Sequence, residues 1–164
     1  MAFLATGNAL ADRPALAAWL REAGLAPTGT PVGSADLDAA LRLRSALAAV
    51  LGAAAGGAPA APEAIAAVNA AAARCAAPQL DASTGMPVQA PATVSGALAR
   101  LAAEAVELLA RSSGRLCRCA LPGCGALLLS NSTGPRRRWC TMEGCGNVAK
   151  ARAYRARRKG RPPA

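Results

Sequence analysis

Five of the six cysteines in this 164-residue chain lie within the 29 residues from 117 to 145. Four of them form two pairs with the same gap, Cys119-x4-Cys124 and Cys140-x4-Cys145, and fifteen residues separate the pairs. Each pair ends in Gly-Cys-Gly, and glycine permits the tight turn that brings the second sulfur back toward the first. Because four thiolates suit a tetrahedral zinc ion, this spacing predicts a zinc site with those four cysteines as ligands.

Two other interpretations of the same cysteines compete with zinc. Disulfide bonds require an oxidising compartment, whereas the first residues, MAFLATGNALADRP, lack the basic start of an export signal, so we expect a cytoplasmic chain. An iron–sulfur cluster also takes four cysteines, but the surrounding arginines favour a structural zinc site. Cys117 is then a spare thiol, because Cys119 gives the matched spacing, and Cys75 is expected to be a small buried side chain.

The chain contains no histidine, and this absence removes several kinds of chemistry. A serine–histidine–acid triad, a histidine metal ligand and the most common general base are all excluded. The sequence also shows neither a pair of acids at a convincing catalytic spacing nor a phosphate-binding loop. We therefore expect that the protein is not an enzyme.

Charge divides the chain into two parts. Residues 1–110 hold six basic and eight acidic side chains, a balance of −2, whereas residues 111–164 hold thirteen basic and one acidic, a balance of +12. Such an asymmetry predicts two modules, one of which binds a polyanion. A solvated basic tail that only aids solubility is the alternative, but it does not explain why cysteines alternate with the positive charge.

The first part of the chain is predicted to be a small helical domain. Its apolar residues are mostly alanine, which favours helices packed around a modest core. Periodicity and end signals predict helices over about 14–24, 34–51, 62–74 and 93–111. No run of about 18 strongly apolar residues is evident, so we expect no membrane span.

Particular residues are expected to shape these helices. Ser34 is the expected cap of the second helix, a loop is expected after residue 51, and a short β-hairpin is expected around Gly85. The apolar faces are expected to contain Leu16, Trp19, Leu20, Leu37, Leu41, Leu47, Leu51, Ile65, Val68, Leu98, Leu101, Ala105, Leu108 and Leu109, with Asn69 on the Ile65 face. The predicted fold class is therefore mainly α, followed by a four-cysteine zinc finger and a basic helix.

The segment after Cys145, GNVAKARAYRARRKG, is predicted to be that basic helix. On a helical wheel Ala149, Ala153 and Ala156 share one side, which we expect to pack on the zinc module. Arginines and lysines occupy other sides and are expected to contact nucleic-acid phosphates, while Asn147 is a candidate for reading bases. The complete set of expected nucleic-acid contacts is Arg136, Arg137, Arg138, Asn147, Lys150, Arg152, Arg155, Arg157, Arg158 and Lys159.

The motifs RRRWC and CGN.AK, preceded by a C-x4-C pair, resemble the CGNR-type zinc finger of bacterial proteins. These proteins carry an N-terminal helical domain called ABATE and are described as stress-induced transcriptional regulators. The resemblance implies domains over residues 1–112 and 115–160, and it matches the four cysteines of the two pairs to the family's zinc ligands. Val148 replaces the arginine of the signature, and Ser130 replaces the aspartate that is usual in the strand between the two cysteine pairs. We therefore expect modestly weaker nucleic-acid binding.

The function expected from these features is that of a DNA-binding transcriptional regulator. Zn²⁺ is the expected cofactor and double-stranded DNA the expected partner, while the helical domain is expected to sense a small effector or to form a homodimer. An RNA- or ribosome-associated zinc protein is one alternative, although the finger has little aromatic surface for base stacking. A redox sensor that uses the Cys117 thiol is another.

Overall fold

The structure is a computed structural model that describes residues 2–5, 10–77, 79–88, 93–112, 114–130 and 137–159. Within them lie the helices α1 (Ala2–Ala5), α2 (Arg13–Glu22), α3 (Ser34–Gly56), α4 (Pro62–Ala72), α5 (Val94–Ser112) and α6 (Asn147–Lys159). Two antiparallel hairpins pair β1 (Gln79–Leu80) with β2 (Pro87–Val88), and β3 (Leu116–Arg118) with β4 (Leu127–Leu129). The mainly helical fold class predicted from the sequence is confirmed.

Helix α3 is the centre of the molecule, because α1, α2, α4, α5 and the β3–β4 hairpin all contact it. The residue before the helix, Gly33, is the cap, and its backbone N–H donates to the carboxylate of Asp36 at 2.8 Å. Ser34 is thus the first helical residue and not the cap that we expected. The helix also continues to Gly56, since alanines extend it until Gly57 ends it at a φ of 69°.

The core lies between α2, α3, α4 and α5. Leu16 and Leu20 of α2 are fully buried, while Trp19 lies at the edge of the core with its ring 5.0 Å from that of Phe3. Much of the remaining interior is alanine: Ala40, Ala46, Ala64, Ala71, Ala97, Ala99 and Ala102 are all buried. Such small side chains let helices approach closely, but each contributes little buried area.

Two of the expected core faces need correction. In α4 the buried residues are Ala64, Val68 and Ala71, whereas Ile65 is 42% exposed and Asn69 is exposed. The two alanines occupy the positions that meet α3 and α5, so helix packing selects the small side chains instead of the larger isoleucine. In α5 the buried face contains Val94, Ala97, Leu98 and Ala102, and the later pair Leu108 and Leu109 is only half-buried.

By length and composition α3 is apolar enough to cross a membrane, contrary to the sequence expectation, with a mean hydropathy of 1.3 over its best window. The core helix of a soluble protein can have the same length and the same apolar composition. Here four other helices and a hairpin contact α3, which is the arrangement of a core helix.

The predicted hairpin around Gly85 is confirmed as the β1–β2 pair, with Gln79 opposite Val88 and Leu80 opposite Pro87. Asp81 organises its turn, because its carboxylate accepts hydrogen bonds from the backbone N–H groups of Ser83 and Thr84 and from both of their hydroxyls.

The β3–β4 hairpin joins the helical part of the chain to the cysteines. Leu116 pairs with Leu129, and Arg118 pairs with Leu127. Leu116 and Leu128 are buried, and the hairpin contacts α3, where the guanidinium of Arg118 lies directly over Gly52. A Cβ at position 52 would force that guanidinium to move, so Gly52 marks a close approach between hairpin and helix.

Candidate metal centre

The structure brings together the sulfurs of Cys119, Cys124, Cys140 and Cys145, all within 4.8 Å of one another. The separations are 3.7 Å for Cys124–Cys140, 3.3 Å for Cys140–Cys145 and 3.5 Å for Cys124–Cys145. A tetrahedral zinc ion with Zn–S bonds of about 2.3 Å needs sulfurs about 3.8 Å apart. A disulfide bond is only about 2.05 Å long, so these four thiols fit a metal ion and not a pair of disulfides.

The first pair of ligands lies on a turn that extends the β3–β4 hairpin. Cys119 continues the ladder, because its backbone N–H donates to the Ala126 carbonyl at 2.8 Å. The chain then folds back, and the N–H of Cys124 donates to the Leu121 carbonyl at 3.0 Å. Gly123 and Gly125 flank Cys124 with φ values of 86° and 65°, a region that glycine adopts at little cost.

The second pair is formed by a π-helical turn, Met142–Gly146, which carries Cys145. Thr141 caps this turn: its hydroxyl accepts from the N–H of Gly144 at 3.1 Å, and its carbonyl accepts from that of Gly146 at 3.0 Å. A Cβ on Gly146 would lie 2.8 Å from the Met142 sulfur and 3.3 Å from Trp139. A Cβ on Gly144 would lie 2.8 Å from the Thr141 hydroxyl oxygen, so a side chain at either glycine that flanks Cys145 would force a neighbouring side chain to move.

The two turns are held against each other by the segment 137–140. The carbonyl of Arg138 accepts from the N–H of Ala120 at 2.8 Å, which joins the second turn to the first. The guanidinium of Arg138 lies 5.1 Å from the centre of the Trp139 ring, and that ring is half-buried beside Gly146. Trp139 thus packs over the second turn. Arg137 donates from Nε to the Trp139 carbonyl at 3.0 Å and from Nη2 to the Cys140 carbonyl.

The pKa values of Cys119 and Cys145 are shifted in opposite directions. The backbone N–H of Leu121 donates to the Cys119 sulfur and lowers the pKa of Cys119 to about 7. The hydrogen bonds that Cys145 shares with Cys140 and Cys124 raise its pKa, because ionisation would place a second negative charge in the cluster. One thiolate therefore forms readily, and a metal ion would displace the remaining protons as it binds.

Helix α6 begins two residues after Cys145 and contacts the π-helical turn. All of its described side chains from Lys150 to Arg157 are exposed, including the alanines at 153 and 156 that we expected to pack on the metal module. Only Ala149 is half-buried, because the helix extends away from the turn after its first residues. The predicted nucleic-acid contacts Lys150, Arg152, Arg155 and Arg157 thus lie on one solvent-exposed helix.

The other predicted contacts have different surroundings. Arg138 is exposed, whereas Asn147 donates from its side-chain amide to the Glu143 carbonyl at 3.2 Å and closes the turn before α6. Arg158 and Lys159 belong to the helix, but their side chains lie outside the described part, as does all of Arg136.

The two remaining cysteines differ from each other. Cys117 is half-buried on β3, with its sulfur 3.7 Å from the Arg137 carbonyl. Cys75 is exposed just after α4, so the expectation that it is buried was wrong. Sequence reasoning did not identify Thr141 as a capping residue, although a threonine three residues before a glycine amide is a capping pattern that could have indicated it.

These observations define a helical protein with a C-terminal four-cysteine metal site. The family model ABATE, described as "Putative stress-induced transcription regulator", matches residues 1–112, and the model described as "CGNR zinc finger" matches residues 115–158. The chain belongs to the ABATE family and carries a CGNR zinc finger at its C-terminal side, as its motifs predicted. Neither is an enzyme family. No curated protein and no solved structure matches the chain.

Proposed function

We propose that the protein is a zinc-dependent transcriptional regulator whose helix α6 binds the phosphates of double-stranded DNA. The observation that carries this proposal is the position of α6: an exposed basic helix begins two residues after the metal ligand Cys145. A metal ion at this site would fix the start of α6. The charged side chains of α6 would then be available to bind a polyanion.

The charge of α6 favours a phosphate partner. Its thirteen residues include six lysines and arginines and no acidic residue, so its cations have no partner within the helix. Like charges three or four residues apart destabilise an isolated helix, and bound phosphates would remove that repulsion. Six cations near one duplex would release counterions and give an affinity that falls steeply with salt.

A duplex is favoured over a single strand by the scarcity of aromatic side chains. Single-strand binders stack bases on exposed aromatic rings. Near the metal centre Trp139 is half-buried and covered by the Arg138 guanidinium, and α6 contributes one exposed aromatic residue, Tyr154. A basic helix with little stacking surface suits a groove bordered by two phosphate backbones.

Zinc is the metal favoured by the donor set. Four thiolates without any histidine or carboxylate suit Zn²⁺ in a closed structural site, in which no coordination position remains open for chemistry. Such a cluster carries a net charge of about −2, which nearby N–H groups and guanidinium groups offset. Zinc here would supply folding energy to the C-terminal region and no catalytic step.

The helical part of the chain is the part that matches the regulator family model, over residues 1–112. We propose that it receives the regulatory signal, either a small effector or a second copy of the chain, in the cytoplasm. A surface groove of this part, lined by Arg13, Pro14, Ala17 and Val32, has a volume of about 270 Å³.

A mobility-shift titration of zinc-loaded protein with duplex DNA across a salt series tests the DNA proposal. With roughly six phosphate contacts, the logarithm of affinity should fall against that of salt with a slope near −5. The Cys140→Ser variant should lose binding together with its zinc. Absence of duplex binding at low salt would reject the proposal, and tighter binding to structured RNA would favour the RNA alternative.

A further inference from the structure

Two polar side chains are buried in the described part of the chain, Ser112 and Ser130, each only 3% exposed. Ser112 is the last residue of α5, and Ser130 directly follows β4. Both therefore lie on the path between the helical core and the metal centre. A buried hydroxyl is retained at little cost only when it is hydrogen-bonded, so the partners of these two serines are informative.

Those partners form a continuous series of hydrogen bonds from α5 toward the metal ligands. The Ser112 hydroxyl donates to the Leu109 carbonyl at 3.0 Å, and the Ser112 carbonyl accepts from the N–H of Arg115 at 2.7 Å. The Arg115 carbonyl in turn accepts from the N–H of Ser130 at 2.9 Å. Finally, the Ser130 hydroxyl accepts from the N–H of Arg137 at 3.1 Å.

Arg137 continues this series to the second pair of cysteines. Its guanidinium donates to the carbonyls of Trp139 and Cys140, so one planar fork holds two successive peptide groups of the segment that carries a ligand. Since the backbone position of Cys140 decides where its sulfur points, these bonds fix one corner of the metal site. A lysine has no such fork and could not hold both carbonyls in the same plane.

We propose that Arg137 is a positioning residue of the metal centre, held in place by the buried Ser130, and that it does not contact nucleic-acid phosphates. Its backbone N–H and its guanidinium bind within the protein, whereas Arg138 stacks on the Trp139 ring. The inference rests on the metal site of the proposed function, and the positioning role of Arg137 is measured through zinc binding, without DNA. Arg137 is then not one of the phosphate contacts, and its role is to hold the backbone that carries the Cys140 thiolate.

Arg138 provides a matched control, because it is the adjacent residue, carries the same charge and is also exposed. Zinc affinity and zinc release from the full-length protein are measured by competition with a chromophoric chelator. Arg137→Ala should weaken zinc affinity by about 10-fold, as loss of a residue that orients a ligand commonly does. Ser130→Ala should weaken it about 5-fold, the value of one hydrogen bond, whereas Arg138→Ala and the exposed Ser45→Ala should change it less than about 2-fold.

The Arg137→Lys variant distinguishes the effect of the two guanidinium hydrogen bonds on zinc affinity from the effect of the positive charge. It retains the positive charge near the thiolates but lacks the fork, so we expect it to recover less than half of the lost affinity on a logarithmic scale. Cobalt substitution gives a second readout, since the absorption of a tetrahedral Co²⁺–thiolate site reports ligand geometry directly. Its bands should shift in Arg137→Ala and remain unchanged in Arg138→Ala.

Two results would overturn the inference alone: equal zinc affinities for Arg137→Ala and Arg138→Ala, or full recovery in Arg137→Lys. A wild-type chain that binds no metal would overturn the metal centre and this inference with it. At saturating zinc, Arg137→Ala should also keep the DNA salt dependence of the wild type. A slope reduced by about 1 would instead make Arg137 a phosphate contact and contradict the proposal.

Discussion

Helices α5 and α6 show how differently two parts of this chain use a helix. Helix α5 buries one face against α3 and α4, and its exposed side carries the pairs Arg100–Glu104 and Arg111–Glu107, at 3.0 and 2.7 Å. Helix α6 has no acidic residue, and its described side chains from 150 to 157 are all exposed. The first helix is stabilised within the protein, whereas the second presents its charge to solvent.

The same contrast extends to what holds each region together. The helical region has a contiguous apolar core that includes the fully buried Leu16 and Leu20. In residues 114–130 and 137–159 the buried hydrophobic side chains are Leu116, Cys119 and Leu128, too few for an independent core. Small modules of this kind fold with the help of a metal or disulfides, and here the four sulfurs are placed for a metal.

The strongest test of this contrast is removal of the metal, by a chelator or by Cys140→Ser. We expect residues 114–130 and 137–159 to lose their structure, because zinc binding to such a site contributes about 10 kcal/mol of folding free energy at neutral pH. Helices α2 to α5 should persist, since their core contains none of the four cysteines. Limited trypsin digestion would report this as rapid cleavage at the basic residues of α6, with the helical region protected.

Cys75→Ser is the matched control for that experiment. Cys75 is exposed and does not belong to the sulfur cluster, so the variant should keep one equivalent of metal and the digestion pattern of the wild type. Equal protection of α6 in the metal-free and metal-loaded chains would contradict the view that the metal replaces a core.

The second test changes the helical region instead. Leu20 is fully buried in α2, and Leu20→Ala should lower the free energy of unfolding by about 3 kcal/mol through lost contacts and a residual cavity. The zinc content should stay at one equivalent, because α2 does not supply a ligand. Chemical denaturation followed by circular dichroism, with zinc measured on the same samples, checks both expectations. Loss of zinc would show that the metal site depends on the whole core.

The sequence predicted four metal ligands from a spacing that expresses local chemistry, and the structure brings those four sulfurs together. A C-x4-C segment is short enough for one turn to bring its two sulfurs together, through left-handed glycines at 123 and 125 in the first pair and through a π-helical turn in the second. The basic helix after Cys145 was likewise predicted, and α6 lies there, from Asn147 to Lys159. By contrast, its alanines were expected to pack on the metal module, and they are exposed because the helix extends away from it.

Other features depend on tertiary packing that periodicity does not contain. Ile65 matched a helical apolar face, yet the neighbouring alanines of α4 face the core, because close packing on α3 and α5 favours small side chains. Similarly, Arg137 was grouped with its neighbours by charge alone. Its hydrogen bonds to Trp139 and Cys140 depend on a turn whose geometry only the folded chain defines.

The third test concerns the charge of α6. Replacing Arg152 and Arg155 together by glutamine should reduce the salt slope of DNA binding by about 2, since each lost phosphate contact removes about 0.9. Stability should be unchanged or slightly higher, because two like charges at i and i+3 are removed. Arg100→Gln is the matched control on α5, where the arginine already pairs with Glu104, and it should leave the slope unaltered. A slope insensitive to the double variant would exclude α6 as the phosphate-binding surface.

The smallest effect is expected at Asp81, which shows that the helical region uses its charges for its own structure. The Ser83 hydroxyl and the Thr84 N–H donate to the Asp81 carboxylate and lower its pKa from 3.8 to about 2. These bonds favour the ionised form, so their contribution to the β1–β2 turn is present above pH 3.8 and is lost as the pH falls toward 2. The carboxyl carbon resonance of Asp81 should therefore titrate near pH 2, and the amides of Ser83 and Thr84 should lose their protection over the same interval. In Asp81→Asn that pH dependence should disappear, while a midpoint near 3.8 in the wild type would mean that the turn does not hold the carboxylate.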